Sequence, residues 1–335
     1  MKAALLYGVN DLRLVEVERP RLGEADILIK VRACGVCPTD IRKYRSGYQG
    51  YHSNLKYPEN VGHEWAGDVV EVGSHVQGFS KGMRVAGTAR GGYAEYLKYD
   101  TGAGGRQVIV PIPAQVGYEQ ATFAEPLADC LHSLRDQGRV SAASVVAILG
   151  AGPMGLLHVM AAKALGAKVI ASEPMAQRRS RASACGADIV LDPEHDDIVQ
   201  RVRNATDGVG ADAVIVSVGV PQLIMQALVM AARRGHVVLF AGFPRNVPVT
   251  LDPNLIHYGE VCVVGSSWVG VPSHESFGLY HEALSLIGQA QIPVGQLISA
   301  RFPLDEIGQA FDSVEKRESL KVIILPHLED LARAS

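Results

Sequence analysis

Two textures of apolar and polar positions divide this chain. Up to about residue 125 the apolar residues come in short runs or alternations, such as Ile27-Leu-Ile-Lys-Val-Arg32 and Asp68-Val-Val-Glu-Val72, closed off by glycines and other turn residues. That pattern predicts a β-rich region. From about residue 140 apolar runs alternate with helix-like stretches: Val145-Val-Ala-Ile-Leu149, a helix to Leu165, Lys168-Val-Ile-Ala-Ser172, Ala213-Val-Ile-Val216, His236-Val-Val-Leu-Phe240 and Val261-Cys-Val-Val264. Strands apolar on both faces and spaced by helices predict an α/β unit with a doubly wound parallel sheet. Beyond it, the helical Glu282-Ala-Leu-Ser-Leu-Ile287 and the strand Lys321-Val-Ile-Ile-Leu325 either extend that sheet or return to the first region. The tail from Glu329 to Ser335 is expected to be peripheral.

The first strand of the alternating region runs into Gly150-Ala-Gly-Pro-Met-Gly155, a G-x-G-x-x-G loop that opens a helix. Gly150 permits the tight turn, Gly152 lets the backbone approach a pyrophosphate, and Gly155 lets helix and strand pack closely. Pro153 suits the helix start, and Met154 completes the loop whose N–H groups face the phosphates. Glu173 follows the second strand, 23 residues beyond Gly150, where a carboxylate binds the adenosine ribose hydroxyls. An acid there favours NAD over NADP, although Arg178 and Arg179 follow closely and offer charge to a 2′-phosphate.

Composition narrows the partners. At 335 residues and 47% hydrophobic content the chain can fill two cores. A net charge of -3 leaves no broad basic surface, so the expected partner is a small molecule, with neither nucleic acid nor membrane. The apolar start, Met1 to Gly8, is cut short by Asn10, Asp11 and Arg13, and no uncharged run reaches the roughly 18 residues of a membrane span, so a cytoplasmic location is expected. Five cysteines, odd in number and irregularly spaced, give no disulfide framework and leave a thiol free to bind metal.

That thiol is Cys37, in Cys34-Gly-Val-Cys-Pro-Thr-Asp40, to be read with His63 and Glu64. A thiolate, an imidazole and a carboxylate suit zinc and leave a fourth position open. Asp40 is placed to orient His63 by accepting its other ring N–H. Thr39, which both donates and accepts, fits a proton relay. Cys34 is expected to be a buried small side chain, Cys130 and His132 to be packing residues on a helix, and Cys185 and Cys262 to lie in the core.

Taken together, the Cys34–Asp40 motif, Gly62-His-Glu64, Gly91-Gly-Tyr-Ala-Glu-Tyr96, Glu125-Pro-Leu127 and the Gly150 loop, in that order, resemble the zinc-dependent medium-chain dehydrogenases, especially their sorbitol and polyol dehydrogenase branch. The resemblance implies a GroES-like β-rich catalytic domain from residues 1–126 and 271–335, a Rossmann NAD-binding domain at 127–270, and an active site in the cleft. It implies a zinc on Cys37 and His63, with Glu64 and Glu125 competing for the third protein position. It also implies cofactor contacts from Ser217, Gly219, Gly242, Ser266 and Ser267, and a homodimer or homotetramer.

Three departures stand out. The lobe of four cysteines that holds a structural zinc in many relatives is missing between Ala86 and Gly91, so one catalytic zinc is expected and no structural one. Pro38 replaces a common glycine, and Arg42 replaces a relay histidine found in some relatives. Trp268 and Val269 stand where sorbitol-specific relatives carry an arginine and an aromatic residue. The segment Arg42-Lys-Tyr-Arg45 is either a solvated basic face or a reader of extra substrate hydroxyls or anions. The expected activity is hydride transfer between a secondary alcohol (a polyol, sugar alcohol or related cyclic or amino alcohol) and NAD, giving the ketone. The alternatives are a zinc-free NADPH-dependent quinone or enone reductase, or a non-enzymatic nucleotide-binding protein, on the same fold.

Overall fold

A computed structural model describes residues 1–47, 56–102, 107–267 and 273–327. Trp268, Val269 and the tail from Glu329 lie outside the described residues. The chain separates into two compact units, Met1–Glu125 with Pro272–Ser335, and Pro126–Val271. Among the described residues no helix is long and apolar enough to cross a membrane.

The discontinuous unit contains β1 (Lys2–Gly8), β2 (Asp11–Glu16), β3 (Asp26–Gly35), α1 (Pro38–Ser46), β4 (Glu64–Val72), β5 (Arg84–Gly87), β6 (Tyr96–Asp100), β7 (Ile109–Pro111) and α2 (Tyr118–Ala121). Helix α3 (Ala124–Leu131) starts there and carries the chain into the second unit. The second unit holds β8 (Val145–Leu149), α4 (Pro153–Ala164), β9 (Lys168–Ser172), α5 (Ala176–Ala184), β10 (Ile189–Leu191), α6 (Ile198–Ala205), β11 (Ala211–Val216), α7 (Gln222–Met230), β12 (Ala231–Leu239), α8 (Pro253–Gly259) and β13 (Cys262–Gly265). The chain then returns with α9 (Ser273–Gly288), β14 (Ile298–Pro303), α10 (Ile307–Glu315) and β15 (Lys321–Leu325).

In the second unit six strands, all parallel, run in the order β10-β9-β8-β11-β12-β13. Chain reversal therefore occurs between β8 and β11, the switch point at which doubly wound sheets bind nucleotides. The central strands read as unbroken apolar runs because helices cover both faces: Val146 to Leu149 and Val169 to Ser172 are all buried. Cys185 is buried as expected, but Cys262 is exposed. It belongs to β13, the sheet edge, where Cys262, Val263 and Gly265 face outward.

In the first unit β14-β15-β3-β4-β5-β7 form a mixed sheet, with β6 also paired to β3. Strand β15 joins β3 antiparallel, with Ile324 opposite Cys34. Of the two routes open to the C-terminal segment, the chain takes the return to the first unit. Its core gathers Leu6, Ile27, Ile29, Trp65, Tyr93, Phe311 and Ile324, and the Trp65 indole donates to Ala89 O at 2.7 Å.

Candidate metal and nucleotide sites

Cys37 is the residue that caps helix α1. Pro38 occupies the first turn where no N–H is needed, Asp40 adds negative charge at the amino end, and Lys43 and Arg45 add positive charge at the other. Gly47 ends the helix at φ +65°, a conformation suited to glycine. The helix is held from the far end of the chain: Phe311 on α10 packs edge-on against Tyr44 and Tyr93 at 5.7 and 5.8 Å, and Arg45 pairs with Glu315. Lys43 is buried against Asp40, so neither cation belongs to a free basic face.

Ligating atoms of Cys37, His63 and Glu64 lie within 4.8 Å of one another. His63 Nδ1 is 3.0 Å from Val61 O and 3.2 Å from Asp40 Oδ1. The carbonyl makes the properly angled hydrogen bond, because Asp40 Oδ1 has no partner of good geometry. With Nδ1 so occupied, Nε2 is the nitrogen left for a metal. Asp40 is fully buried, and its Oδ2 accepts from Tyr93 OH at 2.7 Å and from the Cys37 amide at 3.4 Å. Burial works against ionisation of Asp40, yet His63, Lys43 and the Tyr93 hydroxyl hold its carboxyl below the usual value. Burial likewise opposes the imidazolium of His63, but Asp40 more than compensates and raises it well above normal.

Glu64, 2% exposed, is bound by the ammonium of Lys321, itself 4% exposed, at the start of β15. Gly35 makes room for the pair: a Cβ there would lie 2.4 Å from Glu64 Oε2 and 2.8 Å from Lys321 Cε. Glu125 opens α3. Burial pushes its carboxyl up to about 7, with His63 opposing and Glu64 adding to the rise. A buried acid that gives up its charge in this way would regain it beside a cation. Thiol, imidazole and the buried Glu64 carboxylate thus form a donor set that fits zinc, and the half-buried Glu125 is not part of that converging group. Thr39 stands in the first turn of α1, half-buried. Cys34 is buried and its thiol is held well above the usual range by burial. Cys130 instead lies 3.5 Å from His158 Nδ1, and His132 pairs with Asp136 at 2.9 Å in the π-helical turn His132–Gln137.

The glycine loop meets its requirements one by one. Gly150 has φ +96°. A Cβ on Gly155 would lie 1.9 Å from Gly150 O, whereas one on Gly152 would meet nothing nearer than Arg178 Nη1 at 3.9 Å. Contact is forced at Gly155 and space is kept at Gly152, as a pyrophosphate at the start of α4 demands. Pro153 and Met154 begin that helix, and Met154 O accepts from His158 Nδ1 at 2.8 Å. Glu173 is 4% exposed, its carboxylate accepting from Ala151 N at 2.8 Å and Met175 N at 3.1 Å. Just past β11 and β13, Ser217 Oγ and Ser266 Oγ are buried with no hydrogen-bond partner among the described residues. Such orphan hydroxyls fit polar groups of a dinucleotide. Gly219 and Gly242 face each other, a Cβ on the former lying 2.3 Å from Gly242 O, and Ser267 is exposed. We expect Gly155→Ala to weaken NADH binding at least about tenfold, since overpacking costs about 1–3 kcal/mol. A fluorescence titration with unchanged affinity would show that the loop does not hold the cofactor.

Sequence reasoning missed Lys321, Lys43 and Tyr93 as supports of the metal site. Only Tyr93 carried a local signal, inside Gly91-Gly-Tyr-Ala-Glu-Tyr96.

Comparison with known proteins places this geometry. Residues 23–121 match the alcohol dehydrogenase GroES-like domain and residues 153–287 the zinc-binding dehydrogenase model. The chain is 31% identical to L-threonine 3-dehydrogenase of Pyrococcus abyssi, over 97% of both chains. It is 27% identical to (R,R)-butanediol dehydrogenase of Bacillus subtilis, covering 98% of this chain and all of that one. The crystal structure of the Bacillus subtilis enzyme superposes with a TM-score of 0.86 over 97% of this chain and 99% of that one. A zinc-binding dehydrogenase homologue of Sinorhizobium meliloti 1021, with NADP bound, is 29% identical and superposes at 0.87 over the same shares. The chain belongs to the zinc-dependent medium-chain dehydrogenase family, in its polyol-dehydrogenase-like branch.

Proposed function

We propose that this protein oxidises a secondary alcohol bearing a neighbouring hydroxyl or amino group to the ketone, using NAD and a single zinc held by Cys37, His63 and Glu64. The reading is carried by one observation: three unlike ligating groups converge within 4.8 Å, braced by buried counter-ions. The substrate class follows from the two relatives, since threonine and butanediol share a secondary alcohol with a neighbouring heteroatom. When bound, zinc would polarise the alcohol oxygen and NAD would accept the hydride.

The chain's own groups do the rest. Lys321 holds Glu64 in place through a buried ion pair, and Val61 O fixes the His63 ring, with Asp40 Oδ1 3.2 Å from the same nitrogen. Glu125 adds a second carboxyl at the site, and Thr39 accepts the alcohol proton while giving its own to solvent. Residues 1–126 with 271–335 form the catalytic domain and 127–270 the NAD domain. Gly150, Gly152 and Gly155 shape the phosphate site, and Arg178 lies beside it. Ser217, Gly219, Gly242, Ser266 and Ser267 serve the rest of the dinucleotide.

Preference for NAD is supported by the disposition of charge. Glu173 sits where a 2′-phosphate would be repelled, and Arg179 is already bound to Glu173 O at 3.0 Å and Asp192 at 2.8 Å. We also infer a cytoplasmic homodimer or homotetramer, with the open edge of β13 as a surface available for self-association.

The test is a panel of vicinal diols, amino alcohols and sugar alcohols, scored by NADH or NADPH appearance. We expect at least about tenfold preference for NAD, roughly the worth of one unfavourable charge contact, and loss of activity with a strong chelator. Chelator-resistant reduction of quinones or enones with NADPH would support the zinc-free reading. Cofactor binding without turnover on any substrate would support the non-enzymatic one.

A further inference from the structure

Lys43 supports the metal site from behind, through Asp40, without being one of the ligating groups. It lies one turn beyond Asp40 on α1, with its Nζ 3.7 Å from Asp40 Oδ1, and the two side chains are 7% and 0% exposed. Lysine is rarely buried without a specific partner. Asp40 Oδ2 is already served by Tyr93 OH and the Cys37 amide, so Oδ1 is the oxygen that faces both Lys43 Nζ and His63 Nδ1, at ion-pair distances of 3.7 and 3.2 Å. A cation near a helix end is favourable by about 0.3–1 kcal/mol even when exposed, so the helix alone does not call for burying this charge.

We propose that Lys43 is a positioning residue that limits how much negative charge Asp40 lends, through His63, to a zinc on the same imidazole. The inference rests on the assignment of zinc to Cys37 and His63. A carboxylate beside the far nitrogen of a ligating imidazole, here 3.2 Å from His63 Nδ1 while Val61 O takes the hydrogen bond, adds negative charge that makes the ring a stronger donor and holds the metal more tightly. A permanent cation on the same carboxylate draws part of that charge away. The centre then keeps its metal less firmly but leaves it more electron-poor, which suits polarisation of an alcohol. Lys43 also supplies a counter-charge to buried Asp40 that does not depend on the protonation or metallation of His63.

The test is the rate at which zinc passes from the protein to a chromophoric pyridylazo chelator, with the visible spectrum of the cobalt-substituted protein as a second readout. Lys43→Met keeps the length of the side chain and removes its charge. We expect it to slow zinc release about 5- to 10-fold, at the lower end of effects from groups behind a metal ligand, and to shift the cobalt bands. Lys43→Arg should restore both to wild-type values. In an Asp40→Asn background, Lys43→Met should change neither. Unchanged or faster zinc release in Lys43→Met would overturn the proposal, as would an effect that persists without the Asp40 charge. A merely structural role for Lys43 would lower thermal stability without this dependence on Asp40. Failure of the wild-type protein to take up one equivalent of cobalt with a thiolate band sensitive to Cys37→Ser would instead overturn the zinc assignment itself.

Discussion

Cys37→Ser is expected to lower kcat/KM by about a thousandfold or more and to leave the protein without firmly held zinc. The substitution is nearly isosteric, and serine is among the best residues for capping a helix, so α1 should start as before. Only the soft thiolate is lost, and a neutral hydroxyl does not replace it as a zinc ligand. Lewis-acid polarisation is worth several kcal/mol, and each 1.36 kcal/mol is a factor of ten in rate. Metal analysis after dialysis, alongside initial rates and a thermal melt, makes the comparison. The melt should match that of the metal-free wild type. Full zinc content and activity in the variant would place the metal elsewhere and remove the basis of the mechanism.

Lys321→Met is expected to destabilise the discontinuous unit by about 3–5 kcal/mol, because it leaves Glu64 buried and charged with its main counter-ion gone. For a unit of this size that corresponds to a fall in melting temperature on the order of 10 °C. Burial opposes the ammonium of Lys321, but Glu64 raises its pKa above normal, which marks the two charges as mutually dependent. Adding Glu64→Gln to Lys321→Met should therefore recover most of the loss, since no unpaired charge is then buried. Urea melts of metal-free protein keep zinc binding out of the comparison. A loss below about 1 kcal/mol in the single variant, the range of exposed ion pairs, would mean that water reaches Glu64 and that the pair is no brace.

The sequence was most legible where structure is local. Val145–Leu149 and Lys168–Ser172 have the limits that their apolar runs suggest, because interior parallel strands are buried on both faces. The glycine loop was equally readable, since its spacing is local: Gly150 takes a positive φ and Gly155 closes on Gly150 O five residues back. Cys262 was misjudged because an apolar run looks alike in an interior strand and in the edge strand that it occupies. At the metal site the ligand types could be read, but their supports could not. Lys43 lies six residues beyond Cys37 with nothing to show that it is buried, and Lys321 heads an apolar strand 257 positions from Glu64. Glu64 and Glu125 stayed unranked in sequence because both are single acids near a motif. Their environments differ: one has a lysine on it, and the other is pushed toward neutrality.

The return of β15 to the sheet of β3 has a consequence for biosynthesis. Glu64 leaves the ribosome long before Lys321, and α10, whose Phe311 packs on Tyr44 and Tyr93, also arrives late. Residues 126–271 form a contiguous unit that can fold during synthesis, whereas the unit that flanks it in sequence must keep an unfinished sheet edge and an unpaired acid until β15 has been made. Chains stalled or truncated before residue 321 should therefore accumulate with a folded nucleotide-binding half and an aggregation-prone remainder.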